Sequence, residues 1–487
     1  MAKVTTIIDI GSNSMRMAIF KKTSQFGFYL LYELKSKVRI SQGSYEHGGV
    51  LQKVPVKRAL KALMEFKEIA QKYKSKKLFC IATSAVRDAP NAQEFIALVR
   101  KECGLRIRVI DGKKEAFYGG VACANLLHHR EGITIDIGGG STECALIKEG
   151  KIVDLLSLNI GTIRLKELFL DKNASLERTL DFIGKELEKI PPHYQSIQVF
   201  GVGGTIRAIA KLAIKRNNYP IEVVHGYEMG VSEHLDFIYE IANSSEARLE
   251  VLGVGADRQD SIRSGALIFW AFLRHLRPEK IVASGVGVRE GVFLSDMLRH
   301  HRCSFPKGIS PSMLSLLDRF LPHAQHSQEV KRVCVKLFET LQPLHRIASE
   351  YLYHLKIAGQ LSSIGKVLNF YGTHKHAAYL ALNALSYGFS HQDRAIICLL
   401  VQFSQKKIPK DSNIAHISAI MPPILTLQWL SFILGLAEAL CTTRVPKDIV
   451  YTLRGKTLTI KSSQELYLCQ EVIAKLNKPA SLDIDFL

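Results

Sequence analysis

The sequence lacks any pair of cysteines that would indicate a redox or metal motif. Its 487 residues include nine cysteines, an odd number, scattered from Cys80 to Cys469. None of them forms a C-x-x-C pair, so neither a zinc knuckle nor a disulfide framework is indicated. We therefore expect reduced thiols and a cytoplasmic location, since disulfides are rare in reducing compartments.

The sequence also has few long hydrophobic runs. The N-terminal stretch Met1–Phe20 is interrupted by Asp9 and Arg16 and lacks the basic start and cleavage site of a signal peptide. The one membrane-like stretch, Met421–Leu440, contains several polar residues, including Glu438. A buried core helix is the favoured interpretation and a membrane span is the alternative, so we expect no membrane association.

Acidic residues are scarce relative to basic ones. There are 45 Asp and Glu against 65 Lys and Arg, which gives a formal net charge of +20. The excess is not a tail, because residues 301–487 carry 21 basic and 12 acidic residues, a net +9. Such a field favours polyanionic ligands such as nucleic acid, nucleotides or condensed phosphates, and a charge that only aids solubility is the alternative.

Two similar turns indicate an internal duplication. Asp9–Ser14 and Asp136–Ser141 lie 127 residues apart, and each sits between two apolar strand-like segments. Strands alternate with helical segments around both turns, which predicts an α/β fold. A period of this size is typical of duplicated domains rather than a solenoid. We predict two such domains, a helical region and a small appendage, with the boundaries 1–127, 128–304, 305–445 and 446–487.

The two turns have the composition of a phosphate site. Their glycines and serines expose backbone N–H groups and hydroxyls, which together form a concave site for anions. Asp9 and Asp136 precede the turns, and each can hold a divalent cation directly or through water. One such turn alone is ordinary hairpin chemistry, but two of them could grip adjacent phosphates from opposite sides.

Two glutamates are candidates for the chemistry. Glu115 stands in the first turn of a predicted helix, where Gly112 as the N-cap would make it the third helical residue. It is either a general base that activates water or a helix-start carboxylate favoured by the helix dipole. Glu143 closes the second turn and is either a metal ligand or a solvated residue at the start of a strand.

A third glycine-rich segment, Gly203-Gly204-Thr205, follows a strand and opens a helix. The N–H groups of a helix N-terminus bind anions, so this segment is a candidate phosphate or nucleotide cradle. A tight strand-to-helix connection is the alternative, and the same holds for Ser284–Gly287.

These motifs resemble, in order, those of the exopolyphosphatase/guanosine pentaphosphate phosphohydrolase family, which belongs to the actin-like, sugar-kinase and heat-shock ATPase superfamily. The resemblance runs through roughly residues 4–300. Its motifs are Asp9–Arg16, Ala82–Ala89, Gly112–Ala116, Asp136–Glu143, Gly161–Leu165, Gly203–Thr205, Arg258–Asp260 and Val288–Gly291. The resemblance is specific because all of these motifs occur in the family's order; a single motif would not be enough to identify the family.

The resemblance implies two ribonuclease-H-like lobes and a Mg²⁺-dependent hydrolase, with Mn²⁺ as a possible substitute. The expected substrates are inorganic polyphosphate, which would lose its terminal phosphate, and guanosine pentaphosphate, which would lose its 5′-γ-phosphate in the stringent response. Guanosine tetraphosphate is a further expected ligand. We expect a homodimer and no specific nucleic-acid partner. An actin-like-fold kinase of small molecules and a non-catalytic sensor of guanosine tetraphosphate or polyphosphate stay open as alternatives.

The site residues follow from the same motifs. Glu115, Glu143 and Asp136 are the expected catalytic residues, and Asp136, Glu143 and Asp9 are the expected metal ligands. Four arginines are included among the phosphate contacts because Arg binds phosphate oxygens bidentately, with structural ion pairs as the alternative. The expected phosphate-binding residues are Gly11, Ser12, Asn13, Ser14, Arg16, Arg87, Gly138, Gly139, Gly140, Ser141, Thr142, Arg164, Gly203, Gly204, Thr205 and Arg258.

The helical region resembles the HD-type domain of the same family, with changes at its metal motif. His326 stands where the first metal-binding histidine is expected, but Ser362-Ser363 replaces the His-Asp pair. Two hydroxyls cannot replace an imidazole and a carboxylate on a dinuclear metal. We therefore expect no metal phosphohydrolase here, and we interpret His374 and His376 as hydrogen-bonded or surface histidines rather than metal ligands.

Overall fold

The computed structural model describes residues 3–256, 258–321, 324–443 and 448–487. The chain forms two compact units, Met1–Ser310 and Pro311–Leu487. The first unit contains both predicted lobes, and the second contains the predicted helical region and appendage. The boundary predicted between residues 445 and 446 lies outside the described residues.

The first lobe is built on a sheet with the order β3-β2-β1-β4-β5. Strands β1, β2 and β3 are antiparallel neighbours, whereas β4 and β5 run parallel to β1. Residues Ile7, Ile8 and Ile10 of β1 are fully buried, as expected for a central strand covered on both faces. The strands are β1 (Val4–Ile10), β2 (Met15–Lys22), β3 (Phe28–Ser36), β4 (Lys77–Ala82) and β5 (Ile107–Val109).

The second lobe repeats this order. Its sheet reads β10-β11-β9-β6-β7-β8, in which β6, β7 and β8 correspond to β1, β2 and β3. Strands β9 and β11 run parallel to β6, and β10 adds one antiparallel edge. The repeated order confirms two ribonuclease-H-like lobes. The strands are β6 (Gly132–Ile137), β7 (Thr142–Lys148), β8 (Lys151–Leu158), β9 (Gln198–Val202), β10 (Glu228–Gly230) and β11 (Lys280–Ala283).

Helices cover these sheets, and two of them pack unusually closely. A Cβ atom at Gly291 would lie 1.9 Å from the carbonyl oxygen of Tyr118, so this position requires glycine. The close packing of α11 on α4 fixes the helix that carries Glu115. The helices are α1 (Lys53–Lys72), α2 (Ser84–Arg87), α3 (Ala92–Cys103), α4 (Gly112–Leu126), α5 (Thr162–Leu165), α6 (Leu176–Leu187), α7 (Gly204–Arg216), α8 (Val231–Asn243), α9 (Glu246–Val251), α10 (Gln259–Leu276) and α11 (Val288–Met297).

The second unit is helical, with a three-stranded sheet β12-β13-β14 near its C-terminal end. Its helices and strands share one hydrophobic core, which includes Leu458 and Ile460 of β13. Its elements are α12 (Pro311–Phe320), α13 (Ala324–His345), α14 (Tyr351–Leu361), α15 (Thr373–Ala384), α16 (His391–Gln402), α17 (Asp411–Ile414), α18 (Ile424–Leu440), β12 (Ile449–Arg454), β13 (Thr457–Ser462), α19 (Tyr467–Ile473) and β14 (Asp483–Phe486).

The hydrophobic stretch predicted as a core helix forms α18, and most of its residues are buried, among them Trp429 and Phe432. Within the described ranges, no single helix is both long and apolar enough to cross a membrane. One pair of helical segments is long and apolar enough only when the two are taken together, and the pair is bent by 114°: Asp411–Ile420 and Ile424–Leu440.

Candidate active site

The two glycine-rich turns face each other across the lobes of the first unit. A Cβ atom at Gly139 would lie 2.6 Å from Cβ of Ser12, and one at Gly140 would lie 2.3 Å from the hydroxyl of Tyr45. The hydroxyls of Ser12 and Ser84 are 3.2 Å apart. Glycine is therefore needed in the second turn because the first lobe approaches its backbone this closely.

A cleft of about 160 Å³ opens between the two turns. It contains most of the predicted site residues together with two arginines that were not predicted as phosphate contacts, Arg207 and Arg289. The predicted residues that line it are Asp9, Gly11, Ser12, Asn13, Ser14, Arg16, Glu115, Asp136, Gly138, Gly139, Gly203, Gly204, Thr205 and Arg258.

The remaining predicted residues do not line the cleft but contact residues next to it. Nε of Arg164 donates to the carbonyl of Gly140 at 2.8 Å, and Oγ1 of Thr142 donates to the carbonyl of Ile160 at 2.7 Å. Arg87 binds Glu115. These contacts support the second turn and the carboxylate from outside the cleft. The residues so placed are Gly140, Ser141, Thr142, Glu143, Arg87 and Arg164, and a direct phosphate contact stays a prediction for them.

Glu115 projects from the first turn of α4. Its Oε2 accepts a hydrogen bond from Nη1 of Arg87 at 3.2 Å. The N-cap of α4 is Asp111, whose Oδ1 accepts from the amide of Lys114 at 2.7 Å, so the prediction of Gly112 as the N-cap is wrong. The glycine at 112 has another cause, because a Cβ atom there would lie 2.2 Å from Oγ of Ser157.

Buried carboxyl groups cluster around Glu115. Burial raises the pKa of Glu115 well above its usual value, and Glu143 raises it further while Arg87 opposes the rise. Burial also raises the pKa of Glu143 to about 7 and that of Asp136 to about 6. Carboxyl groups whose pKa values are raised in this way are typical of active sites.

Strand register explains how Asp136 and Glu143 come together. The two residues are directly paired across the antiparallel strands β6 and β7, so both side chains lie on the same face of the sheet. Oε1 of Glu143 accepts a hydrogen bond from Oγ of Ser157 on β8 at 3.0 Å. Glu143 is therefore a buried, hydrogen-bonded carboxyl group, and the solvated strand-start alternative is wrong.

Four arginines, Arg16, Arg207, Arg258 and Arg289, give the cleft its positive charge. Nη1 of Arg289 is 2.5 Å from Oε1 of Glu33, and Nη1 of Arg16 is 3.7 Å from the same oxygen. Burial, together with Arg289 and Arg207, lowers the pKa of Arg16 to about 10. Such mutual repulsion favours a bound anion, because an anion would neutralise the crowded cations.

The sequence carried a signal for both arginines that were missed. Arg207 follows the Gly203-Gly204-Thr205 segment by two residues, and Arg289 belongs to the motif Val288–Gly291. Both sit in the first turn of a helix, α7 or α11, whose N-terminus faces the cleft. Only the packing of these helices shows that the two guanidinium groups converge.

The carboxylates suit a hard divalent cation. Oδ1 of Asp9 is buried and has no hydrogen-bond partner among the described residues. The carboxylate of Asp136 lies close to the backbone of two glycines. A Cβ atom added at Gly203 would be 2.8 Å from Oδ1 of Asp136, and a Cβ atom added at Gly287 would be 3.9 Å from its Oδ2. Mg²⁺ keeps several waters and uses one or two carboxylates, so these residues fit its requirements.

The second unit shows what stands at the altered HD motif. Oγ of Ser362 donates to Oε1 of Glu438, and Nε2 of His326 lies 3.9 Å from the other oxygen of that carboxylate. Burial lowers the pKa of His374, which lines a cavity of about 610 Å³ with Ser362 and Glu438. A hydrogen-bonded serine thus occupies the position of the expected metal-binding histidine.

Comparison with known proteins matches both units to one family. The Ppx/GppA phosphatase family matches residues 18–300, and domain III of the Ppx/GppA phosphatases matches residues 310–480. The chain is 28% identical over 473 residues to a protein of Pseudoalteromonas translucida named guanosine-5′-triphosphate,3′-diphosphate pyrophosphatase, covering 94% of this chain and 92% of the relative. A protein of the same name from Aeromonas hydrophila is 25% identical over 482 residues, covering 93% and 92%.

Solved structures show the same fold over about three-fifths of the chain. A Ppx/GppA family member from Aquifex aeolicus is 30% identical with a TM-score of 0.52, covering 62% of this chain and 99% of that one. An exopolyphosphatase from Cytophaga hutchinsonii has a TM-score of 0.55 at 24% identity, covering 61% and 98%, and this likeness is one of fold.

Proposed function

Because this chain belongs to the Ppx/GppA phosphatase family, we propose that it hydrolyses the terminal phosphoanhydride bond of guanosine pentaphosphate, giving guanosine tetraphosphate and orthophosphate. The observation that carries the proposal is the cleft, in which two glycine-rich turns and four arginines surround buried carboxyl groups. The names of relatives aligned over more than nine-tenths of both chains support the nucleotide substrate. The net charge of +20 favours inorganic polyphosphate as a second substrate.

The two turns and α7 would hold the terminal phosphate. Backbone N–H groups and hydroxyls of both turns, including those of Ser12 and Gly139, line the cleft. The N-terminus of α7 adds the partial positive charge of a helix dipole at Gly204 and Thr205. Arg207 and Arg289 would balance the charge of the phosphoryl oxygens, which is the main contribution a protein makes to phosphoryl transfer.

Glu115 would act as the general base. A water molecule attacks the terminal phosphorus, the bond from that phosphorus to the bridging oxygen breaks, and the electron pair stays on the released nucleotide. Arg87 holds Oε2 of Glu115, so the other oxygen is available to take the proton of the water. Burial raises the pKa of Glu115 above its usual value, so the ionised carboxylate is a stronger base than an exposed glutamate.

Asp9 and Asp136 would hold Mg²⁺, which when bound offsets negative charge on the phosphoryl oxygens. Glu143 lies next to Asp136 across the strand pair and adds a third carboxyl group to the same face. A bound cation would also lower the repulsion among these carboxyl groups.

The test is phosphate release by the wild-type protein and by Glu115→Gln, on guanosine pentaphosphate and on long-chain polyphosphate in parallel. We expect the variant to lose about 10²–10⁴-fold in rate on the preferred substrate while still binding it. Glu102→Gln, an exposed carboxylate on α3, is the matched control and should keep full activity.

Each alternative has its own outcome. Turnover of Glu115→Gln within threefold of wild type would remove Glu115 from the mechanism. No phosphate release from either substrate, with binding intact, would favour a sensor. Consumption of ATP that depends on an added acceptor would favour a kinase.

A further inference from the structure

A cluster of two histidines and a glutamate lies in the second lobe, outside the cleft. His128 and His129 follow the C-terminal end of α4, and Glu228 is the first residue of β10. Nε2 of His128 is 2.9 Å and Nε2 of His129 is 2.8 Å from Oε1 of Glu228. Both imidazoles therefore converge on one carboxylate oxygen, and their ring centroids are 4.0 Å apart.

This convergence is unusual for neighbours in sequence. Successive side chains of an extended segment point to opposite sides, but the chain bends after α4 and brings both rings to the same side. Nζ of Lys280, on the adjacent strand β11, holds Oε2 of Glu228 at 2.7 Å. With one oxygen fixed in this way, the other oxygen is directed at the two rings.

We propose that His128, His129 and Glu228 bind a transition-metal ion of the Zn²⁺ type, at a site separate from the phosphate cleft. In the described part of the chain, this is the one group of three His, Cys, Asp or Glu ligand atoms that all lie within 4.8 Å of one another. Two imidazoles and a carboxylate are a ligand set that Zn²⁺ takes, with water in the fourth position. Imidazole ligands do not suit Mg²⁺, so Zn²⁺ would prefer the histidine site and Mg²⁺ would prefer the carboxylates of the cleft.

The geometry requires little movement to accept the ion. Zinc–ligand distances near 2.1 Å place tetrahedral ligand atoms about 3.4 Å apart. The present separations of 2.9 and 2.8 Å must therefore open by about half an ångström each. In a neutral ring, the proton of Nε2 passes to Nδ1, which frees the Nε2 lone pair for the metal.

The surroundings allow access and supply rigidity. The side chains of His128, His129 and Glu228 are 15%, 22% and 33% exposed, so the site opens to solvent while its ligands stay held by the fold. Nε2 of His225 contacts the carbonyl of Leu126 at 3.0 Å and anchors the end of α4. His128 lies beyond the C-terminal end of α4, and the eleven positions from Glu115 to Leu126 alone span about 16 Å at 1.5 Å per residue.

A metal here would tie the far end of the catalytic helix to the edge of the second sheet. It would cross-link the segment after α4 to β10, and β10 pairs with β11. We therefore expect a structural role, seen as thermal stabilisation by Zn²⁺, because an ion that binds only the folded state shifts the unfolding equilibrium.

The test uses the full-length protein, stripped with a chelator and returned to buffer with excess Mg²⁺, which occupies the carboxylates of the cleft. Zinc affinity is measured by competition with a chromophoric chelator, and thermal unfolding is followed with and without Zn²⁺. Glu228→Gln keeps the hydrogen-bonding shape of the side chain and removes the charge. His129→Asn removes one imidazole. His193→Asn is the control, because His193 contacts the carboxylate of Asp154 at 2.6 Å and belongs to no three-ligand group among the described residues.

We expect wild type and His193→Asn to bind about one equivalent of Zn²⁺ and to melt at a higher temperature with it. Glu228→Gln and His129→Asn should bind it at least about 100-fold more weakly, since loss of an outer-shell contact alone costs about 10–100-fold. Zinc affinity that is the same in all four proteins, or absent in wild type, would overturn the proposal. If either variant fails to fold, X-ray absorption of the zinc-loaded wild type decides: histidine and oxygen ligands support the site, and sulfur ligands overturn it.

Discussion

Replacing Glu143 by glutamine is expected to stabilise the first unit above neutral pH. Burial, helped by Asp136, raises the pKa of Glu143 from 4.5 to about 7, against hydrogen bonds from Ser141 and Ser157. A carboxyl group with a raised pKa binds more protons in the folded state than in the unfolded state. Stability therefore falls as the pH rises from about 4.5 through about 7.

The magnitude follows from the size of the shift. A difference of about 2.5 pKa units corresponds to about 3 kcal/mol once both states are ionised. Glutamine is neutral at every pH and can still accept the hydrogen bond from Oγ of Ser157. Glu143→Gln should therefore match wild type near pH 4.5 and exceed it by about 3 kcal/mol at pH 8.

The assay is urea unfolding at both pH values in the presence of chelator. The chain has two tryptophans, Trp270 on α10 of the first unit and Trp429 on α18 of the second. A Trp429→Phe background lets the fluorescence of Trp270 report the first unit alone. Glu188→Gln, an exposed carboxylate, is the control and should differ little from the background at either pH.

Two results would refute this reasoning. A stability difference of the same size at pH 4.5 and pH 8 would show that ionisation of Glu143 is not its cause. A variant that is less stable than its background at pH 8 would show that the charged carboxylate is favourable where it lies.

Three further predictions concern the metal, the turns and the second unit. Hydrolysis should stop in excess chelator, and Asp136→Ala should raise the Mg²⁺ concentration for half-maximal activity by at least about 10-fold; full activity in chelator would contradict this. The substitution Gly139→Ala places a Cβ atom 2.6 Å from Cβ of Ser12. Overpacking of this kind costs about 1–3 kcal/mol, so kcat/KM of the variant should fall about 10-fold or more. Gly184→Ala on α6 meets nothing within 4 Å and should keep wild-type kinetics. Truncation after Ser310 should weaken binding of long polyphosphate more than that of the nucleotide, with a steep salt dependence, because the removed residues 311–487 carry 19 basic and 12 acidic residues, a net +7. Equal losses for both ligands would contradict this, provided that circular dichroism shows the first unit to be folded.

Several features of the site were accessible from the sequence because local chemistry produces them. A glycine-rich turn exposes its N–H groups wherever it occurs, and an aspartate at the end of a strand lies next to the turn that follows. The duplicated turns at Asp9 and Asp136 therefore predicted the repeated lobes, and the structure has a cleft between the two turns. Glu115 was predicted through the resemblance of Gly112–Ala116 to a family motif, and in the structure the first turn of α4 carries it to the cleft.

The sequence did not show which side chains reach the cleft and which support it. Arg164 and Arg87 were predicted as phosphate contacts, which stays a prediction; in the structure they bind the carbonyl of Gly140 and the carboxylate of Glu115. Arg207 and Arg289 line the cleft because α7 and α11 are packed with their N-termini toward it. The direction of a long guanidinium side chain depends on this packing, which no short motif encodes.

The composition and the spacing of the motifs determined the class of fold and the duplication, because both depend on residues close together in the chain. Tertiary structure decided the arrangement of charge. The sequence placed Asp136 and Glu143 at the two ends of one turn, and the register of β6 with β7 pairs their side chains on one face of the sheet. Glu33 of β3 comes within reach of both Arg16 and Arg289 only when the strands and α11 assemble. Electrostatic interactions act through space, so the pKa values of this site are properties of the folded protein rather than of its motifs.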